Sequence, residues 1–151
     1  MTAAKETKID LKTLESWLWE SANILRGPVD KSDFKTYIFP LLFFKRISDV
    51  YNEEYQEALK ESKGDIEYAS FRENHRFQIP EGCHWRDVRE KTINVGEALT
   101  HALREIEKAN PDTLYGIFGD AQWTNKERFP DSLLLKLIEH FSLHNPGFQP
   151  S

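Results

Sequence analysis

The chain has 151 residues, which is enough for one domain and hardly for two. Its apolar share of 39% with ten phenylalanines excludes a disordered protein, and its net charge of −5 argues against a free-standing nucleic-acid-binding protein, although a local basic face remains open. The single cysteine excludes an internal disulfide and no apolar run approaches the ~18 residues of a membrane span, so we expect a cytoplasmic protein without membrane association.

The N-terminal part is predicted to be a flexible arm followed by a helix. Residues 1–9 show no periodic pattern and form the predicted arm. Asp10 can cap a helix that runs to about Arg26, where Gly27 and Pro28 form a stop signal. The apolar positions of this helix recur at spacings of three and four: Leu11, Leu14, Leu18, Ala22 and Leu25.

A second, longer helix is predicted from Asp30 or Ser32 to about Ser62. Its apolar stripe is widest at residues 41–44, which we expect to be buried nearly all round. Pro40 lacks a backbone donor and its ring clashes with the carbonyl one turn earlier, so the long helix is expected to kink or break near Pro40. Core positions expected on this helix include Leu41, Leu42, Ile47 and Tyr51.

The segment 64–84 is predicted to be irregular, because glycine and proline punctuate it. Residues 85–91 can form one or two helical turns. A further helix is predicted from Thr92 or Asn94 to the stop at Asn110. Its expected buried face consists of Val95, Leu99, Ala102, Leu103 and Ile106.

A last helix is predicted over residues 131–143 with Asp131 as its cap, and residues 144–151 are predicted to begin a linker. The expected fold is therefore all-α, an irregular helical bundle of four to five helices. The helical domain is predicted to span residues 10–143.

A search for catalytic, cofactor-binding and metal sites predicts none in this chain. The pair Gly116 and Gly119 lacks the spacing and the following helix of a donor-binding loop. Cys83 has no second cysteine nearby, and its distance from His75 in sequence is not typical of zinc ligands or of a nucleophile beside its base. We therefore interpret Gly116 and Gly119 as turn glycines and Cys83 as a buried structural residue.

Basic side chains are the candidates for contact with DNA or a partner protein. Lys45 and Arg46 directly follow the apolar run 41–44, and Arg72 and Arg76 belong to a second, looser group with His75, Arg86, Arg89 and Lys91. Lysine and arginine supply most of the energy of phosphate contacts. The alternative is local pairing, because Asp49 lies one helical turn after Lys45 and Arg46.

The order of several short motifs resembles one known family. These motifs are LWESANILRG at residues 18–27, SDFK at 32–35 and LLFFKRISD at 41–49, with a looser FQIP at 77–80 before Trp85 and IEKANP at 106–111. Together they resemble the N-terminal helical domain of the modification (M) subunit of type I restriction–modification systems. The resemblance covers nearly the whole chain and is densest over residues 14–60.

The resemblance implies that the full subunit is an adenine-N6 DNA methyltransferase that uses S-adenosylmethionine as methyl donor. Its implied partners are double-stranded DNA, the specificity subunit, the restriction subunit and its own catalytic domain. The family's Asn-Pro-Pro-aromatic motif is absent from this sequence, and Asn110-Pro111-Asp112 is not a substitute for it. We therefore expect no cofactor and no methyl transfer in this chain alone, and a catalytic domain after Ser151.

Two functional hypotheses remain at this point. The first is a non-catalytic domain of a methyltransferase subunit, which helps to grip DNA and to contact sister subunits. The second is a stand-alone helical interaction or regulatory module. The linker-like composition of residues 144–151 favours the first hypothesis.

Overall fold

A computed structural model describes residues 34–143 and, before them, residues 16, 19, 20 and 22–24, which are helical. The described residues form helices and turns without a strand, which confirms the predicted all-α fold. Several predictions lie outside the described residues. They are the arm at 1–9, the cap at Asp10, the apolar positions Leu11, Leu14, Leu18 and Leu25, the helix stop at Gly27-Pro28, the start of the long helix at Asp30 or Ser32, and the linker at 144–151.

Five α-helices and one 3-10 turn follow one another within residues 34–143: α1 (Phe34–Glu61), α2 (Ile66–Ala69), the 3-10 turn (Arg72–Asn74), α3 (Trp85–Arg89), α4 (Val95–Ala109) and α5 (Asp131–Leu143). The three long helices agree with the sequence prediction to within a few residues. The segment 64–84 is more ordered than predicted, because the Asp65 carboxylate accepts from the Tyr68 backbone N–H at 3.2 Å and caps α2.

Helix α1 continues through Pro40 without a break. Proline costs the helix one backbone hydrogen bond, and burial of the neighbouring Leu41 and Phe44 in the core offsets this loss. A kink at Pro40 stays a prediction. The expectation that residues 41–44 are buried nearly all round is wrong, because Leu42 is only half-buried and Phe43 is exposed.

The core lies where α1, α4 and α5 meet, with α3 packed against it. The predicted face of α4 is confirmed: Val95, Leu99, Ala102, Leu103 and Ile106 are all buried. A cluster of rings closes the core between the first turn of α1 and the loop before α5. Its members are Tyr37, Trp123 and Phe129, with ring centroids 4.6 to 5.5 Å apart.

Asp131 caps a different helix from the one predicted. Its two carboxylate oxygens accept from the backbone N–H groups of Asn94 and Val95, each at 3.0 Å, so it caps α4 although it is the first residue of α5. Asn94 has a left-handed backbone (φ 53°) and makes no side-chain cap bond, which leaves this role to Asp131. The cap thereby ties the starts of α4 and α5 together.

None of the helices in the described part of the chain is both long enough and apolar enough to span a membrane.

Candidate functional site

Lys45 is held by a local ion pair. Its Nζ lies 2.7 Å from both carboxylate oxygens of Asp49, one helical turn further along α1. The two side chains are only 11% and 18% exposed. Lys45 therefore forms the ion pair with Asp49 that the sequence analysis gave as the alternative to a DNA contact.

Arg46 lies on a more open part of α1. Its guanidinium approaches the carboxylate of Glu53 at 4.0 Å, and both side chains are more than one third exposed. Such an exposed pair is screened by solvent and contributes little to stability. The local pairing that the sequence offered as the alternative for Arg46 thus includes Glu53, two turns further along α1.

Arg72 and Arg76 lie after α2 and are exposed. Neither side chain forms an ion pair or a hydrogen bond with any described residue. Their backbone is anchored, because the Arg72 carbonyl accepts from the Gln78 side-chain amide at 3.2 Å and the Arg76 N–H donates to Glu54 Oε1 at 3.0 Å. Two unpaired cations are thus presented by a fixed segment.

Lys45 and Arg76, two of the four predicted contact residues, do not lie in a single patch. Arg76 is bonded to Glu54, which lies nine residues after Lys45 on α1. Nine residues correspond to two and a half turns, so Glu54 and Lys45 lie on opposite sides of the helix and about 14 Å apart along its axis. A single flat ligand cannot contact both Lys45 and Arg76 across the body of α1.

The remaining members of the second basic group are divided by the fold. His75 is buried, and Arg89 pairs with Glu139 on α5 at 2.8 Å. Arg86 and Lys91 are exposed and line separate grooves. The apparent basic cluster of the sequence therefore consists of one buried ring, one paired cation and several separate cations.

A stack of aromatic and imidazole rings, which the sequence analysis missed, packs against α1. The Tyr51 ring is parallel to that of His75, with centroids 3.7 Å apart and an interplanar angle of 9°. His84 meets the same tyrosine nearly at right angles at 4.9 Å. His75 Nε2 lies 2.7 Å from the carbonyl of Ala69, which fixes the ring under α2.

Burial shifts the pKa values of His84 and Tyr51. Burial lowers the pKa of His84, and the neighbouring Arg86 lowers it further. Burial likewise raises the pKa of the Tyr51 phenol. His84 is therefore neutral at pH 7, and Tyr51 keeps its proton.

Cys83 lies beside the ring cluster and is buried. Burial raises the pKa of its thiol, with smaller contributions from the carboxylates of Glu105 and Asp87. The thiolate is the reactive form of cysteine, so this environment favours the inert structural role. Among the described residues, no three histidine, cysteine or carboxylate side chains are placed to hold a metal ion.

A groove of about 730 Å³ opens beside the ring cluster. The second half of α1 forms one wall, and residues 79–87 form the other. Its polar and aromatic lining includes Tyr51, Asn52, Tyr55, Gln56, His84 and Arg86. Since these residues come from separate segments, no local spacing in the sequence indicates the groove.

The comparison with known families gives one match. Residues 14–141 match the family model described as HsdM N-terminal domain. The matched region contains all the motifs over residues 18–111 that carry the resemblance, which confirms it. No curated protein matches the chain.

Proposed function

The chain belongs to the family of HsdM N-terminal domains, the N-terminal region of a type I restriction–modification methyltransferase subunit, and from this membership we propose that it grips DNA and contacts sister subunits. The methyl transfer from S-adenosylmethionine to adenine N6 in DNA is proposed for the full subunit. The proposed partners are double-stranded DNA, the specificity and restriction subunits, and the subunit's own catalytic domain.

The observation that carries the DNA contact is the pair of unpaired cations after α2. Arg72 and Arg76 are exposed and have no acidic partner among the described residues, whereas Lys45 is already neutralised by Asp49. A cation without an internal ion pair breaks no such pair when it binds DNA. It can neutralise a phosphate, and the counterion of that phosphate is then released. We therefore assign the phosphate contact to Arg72 and Arg76 rather than to Lys45.

The subunit contact is favoured by two exposed aromatic side chains on α1. Phe39 and Phe43 lie one turn apart, and their rings stack with centroids 6.1 Å apart at an interplanar angle of 19°. Each is 37% exposed, although phenylalanine is usually buried. Aromatic side chains are enriched at protein interfaces, so this pair is our candidate for packing against a neighbouring subunit or domain.

The DNA contact is tested with Arg72→Gln/Arg76→Gln in the assembled methyltransferase. If both arginines contact phosphates, the slope of log K against log salt is expected to fall by about two units, with all DNA sequences weakened about equally. The measurement is DNA binding by fluorescence anisotropy at several salt concentrations.

A matched control removes the same charge from Arg89 and Lys108, which pair with Glu139 and Glu105 on the surface. Arg89→Gln/Lys108→Gln is expected to leave the salt slope unchanged. An unchanged slope in the Arg72/Arg76 variant, with normal subunit assembly, would show that these arginines do not contact DNA. A lower slope for Lys45→Gln/Arg46→Gln would instead move the contact to α1.

A further inference from the structure

The groove beside the ring cluster has the size of a small-ligand site and a largely polar lining. Its volume of about 730 Å³ lies within the usual range of such sites. One wall carries two tyrosines and two amide side chains from successive turns of α1, and the other carries an imidazole and a guanidinium. Aromatic faces and a few hydrogen-bonding groups are thus brought together in one concave surface.

Tyr55 lines this groove. It is half-buried and makes no ring contact and no side-chain hydrogen bond with any described residue. Tyr51, one turn earlier, is by contrast already packed against His75 and His84. Arg86, on the opposite wall, is exposed and forms no ion pair within the described part of the chain.

His84 lies at the wall of the groove. Its side chain lines the groove, the residue is only 7% exposed, and its buried Nδ1 has no hydrogen-bond partner. The other ring nitrogen also makes no hydrogen bond with a described residue. Because Nδ1 is buried, a ligand in the groove can reach only the Nε2 edge of this ring.

We propose that this groove binds the base of an unpaired nucleotide, with the base stacked on Tyr55 and the phosphate facing Arg86. An amide side chain presents one donor and one acceptor, which matches the edge of a base, and the match is bidentate for adenine. Asn52 and Gln56 supply such amides beside the ring. The proposal is independent of the duplex contact assigned to Arg72 and Arg76, because it uses a different surface.

The charges around the groove predict that base contacts outweigh the phosphate contact. Glu81 and Asp87 line the groove together with Arg86. One oxygen of the Asp87 carboxylate accepts from the His84 backbone N–H at 3.0 Å, whereas Glu81 is exposed and opposes an incoming phosphate. The phosphate of adenosine monophosphate is therefore expected to add little to the binding of its base.

The test is a titration of the 151-residue chain with adenosine monophosphate and with a five-nucleotide single strand of deoxyadenosine, followed by calorimetry. Saturable binding is expected. Tyr55→Ala should weaken it about ten-fold or more, because stacking on an aromatic ring is lost, whereas Tyr55→Phe should stay within about two-fold. Tyr115→Ala is the matched control, since Tyr115 is a fully exposed tyrosine away from the groove, and it should change nothing.

The two ligands distinguish the source of the nucleotide. Binding of the monophosphate as tightly as the strand supports a free nucleotide, and binding of the strand at least ten-fold more tightly supports an unpaired base of nucleic acid. The proposal is overturned if neither ligand saturates at millimolar concentrations. It is also overturned if Arg86→Gln abolishes binding while Tyr55→Ala does not, because a bare phosphate contact then explains the data.

Folding of each variant is checked by circular dichroism. Should Tyr55→Ala not fold, Gln56→Ala provides the same test, because Gln56 is exposed at the groove and its truncation leaves the core intact. It is expected to weaken binding about five-fold, and no loss in a folded Gln56→Ala variant would overturn the proposal.

Discussion

Helices α4 and α1 bury their residues in two different ways. In α4 one face is buried completely, with none of its core residues more than 1% exposed. In α1 the buried and exposed faces do not coincide with apolar and polar residues, because Phe39 and Phe43 are exposed while Lys45 and Ser48 are buried. Both helices are amphipathic in sequence, so the difference comes from what packs against them.

The buried polar residues of α1 have identifiable partners. Ser48 Oγ accepts from the Trp85 backbone N–H at 3.1 Å, which satisfies a free donor at the start of α3. The Lys45 charge is matched by Asp49 within the same helix. Helix α1 therefore contacts several short segments through polar side chains, whereas α4 contributes only apolar side chains to the core. Side-chain periodicity alone predicts the buried face of a helix such as α4, but not that of α1.

The largest expected effect is the loss of a fully buried leucine on either helix. Leu41→Ala on α1 and Leu103→Ala on α4 should each lower the free energy of unfolding by about 2–5 kcal/mol, because both side chains are completely buried. Leu42→Ala should cost less than half as much, since Leu42 is half-buried. Urea unfolding measures all three. An equal loss for Leu41 and Leu42 would mean that α1 is covered on both sides and that its contrast with α4 is false.

The start of α4 should be intolerant of even one methyl group. A Cβ added to Gly96 would lie 2.1 Å from the carbonyl oxygen of Trp123, so the backbone must shift. Gly96→Ala is expected to cost about 1–3 kcal/mol or more, in spite of the roughly 1 kcal/mol by which alanine favours a helix. Glu97→Ala, exposed on the same turn, should stay within about 0.5 kcal/mol. A stabilised Gly96→Ala protein would refute this close packing.

The cap from Asp131 makes α4 depend on a distant residue. Asp131→Ala is expected to lower the free energy of unfolding by about 0.5–2 kcal/mol, because two backbone donors at the start of α4 lose their acceptor. Asp131→Asn keeps one side-chain acceptor and should lose less. Thermal unfolding with hydrogen exchange at Val95 measures the effect. Unchanged exchange at Val95 in the alanine variant would argue against the cap.

The smallest expected effect is the pH dependence that comes from His84, which packs against Tyr51 of α1. The pKa of His84 is lowered in the folded state by burial, so the unfolded chain binds a proton more readily than the folded one. Stability from the neutral ring is present above about pH 6.5 and is lost as the pH falls below it. Unfolding free energies of the wild type and His84→Gln are compared from pH 7 to pH 5. The variant should show the shallower decline, and parallel curves would contradict this role.

The sequence was sufficient for local pairs and insufficient for distant ones. The pairing of Lys45 with Asp49 could be anticipated, because one helical turn always brings such residues together. The capping of Asn94 by Asp131 could not, since 37 residues separate them and the same carboxylate could as well have capped its own helix. For the same reason, the candidate groove between Tyr55 and Arg86 was not visible before the fold was known.

The sequence by itself determined the all-helical class, the bounds of α1, α4 and α5, the buried face of α4 and the family resemblance, because helical periodicity and stop signals act over a few neighbouring residues. Only the tertiary structure decided that α1 passes through Pro40, that α2 folds back so that Ala69 bonds to the His75 ring, and that Arg72 and Arg76 have no partner among the described residues. These outcomes depend on contacts between residues far apart in the chain, whose gain in burial and hydrogen bonding outweighs local preferences.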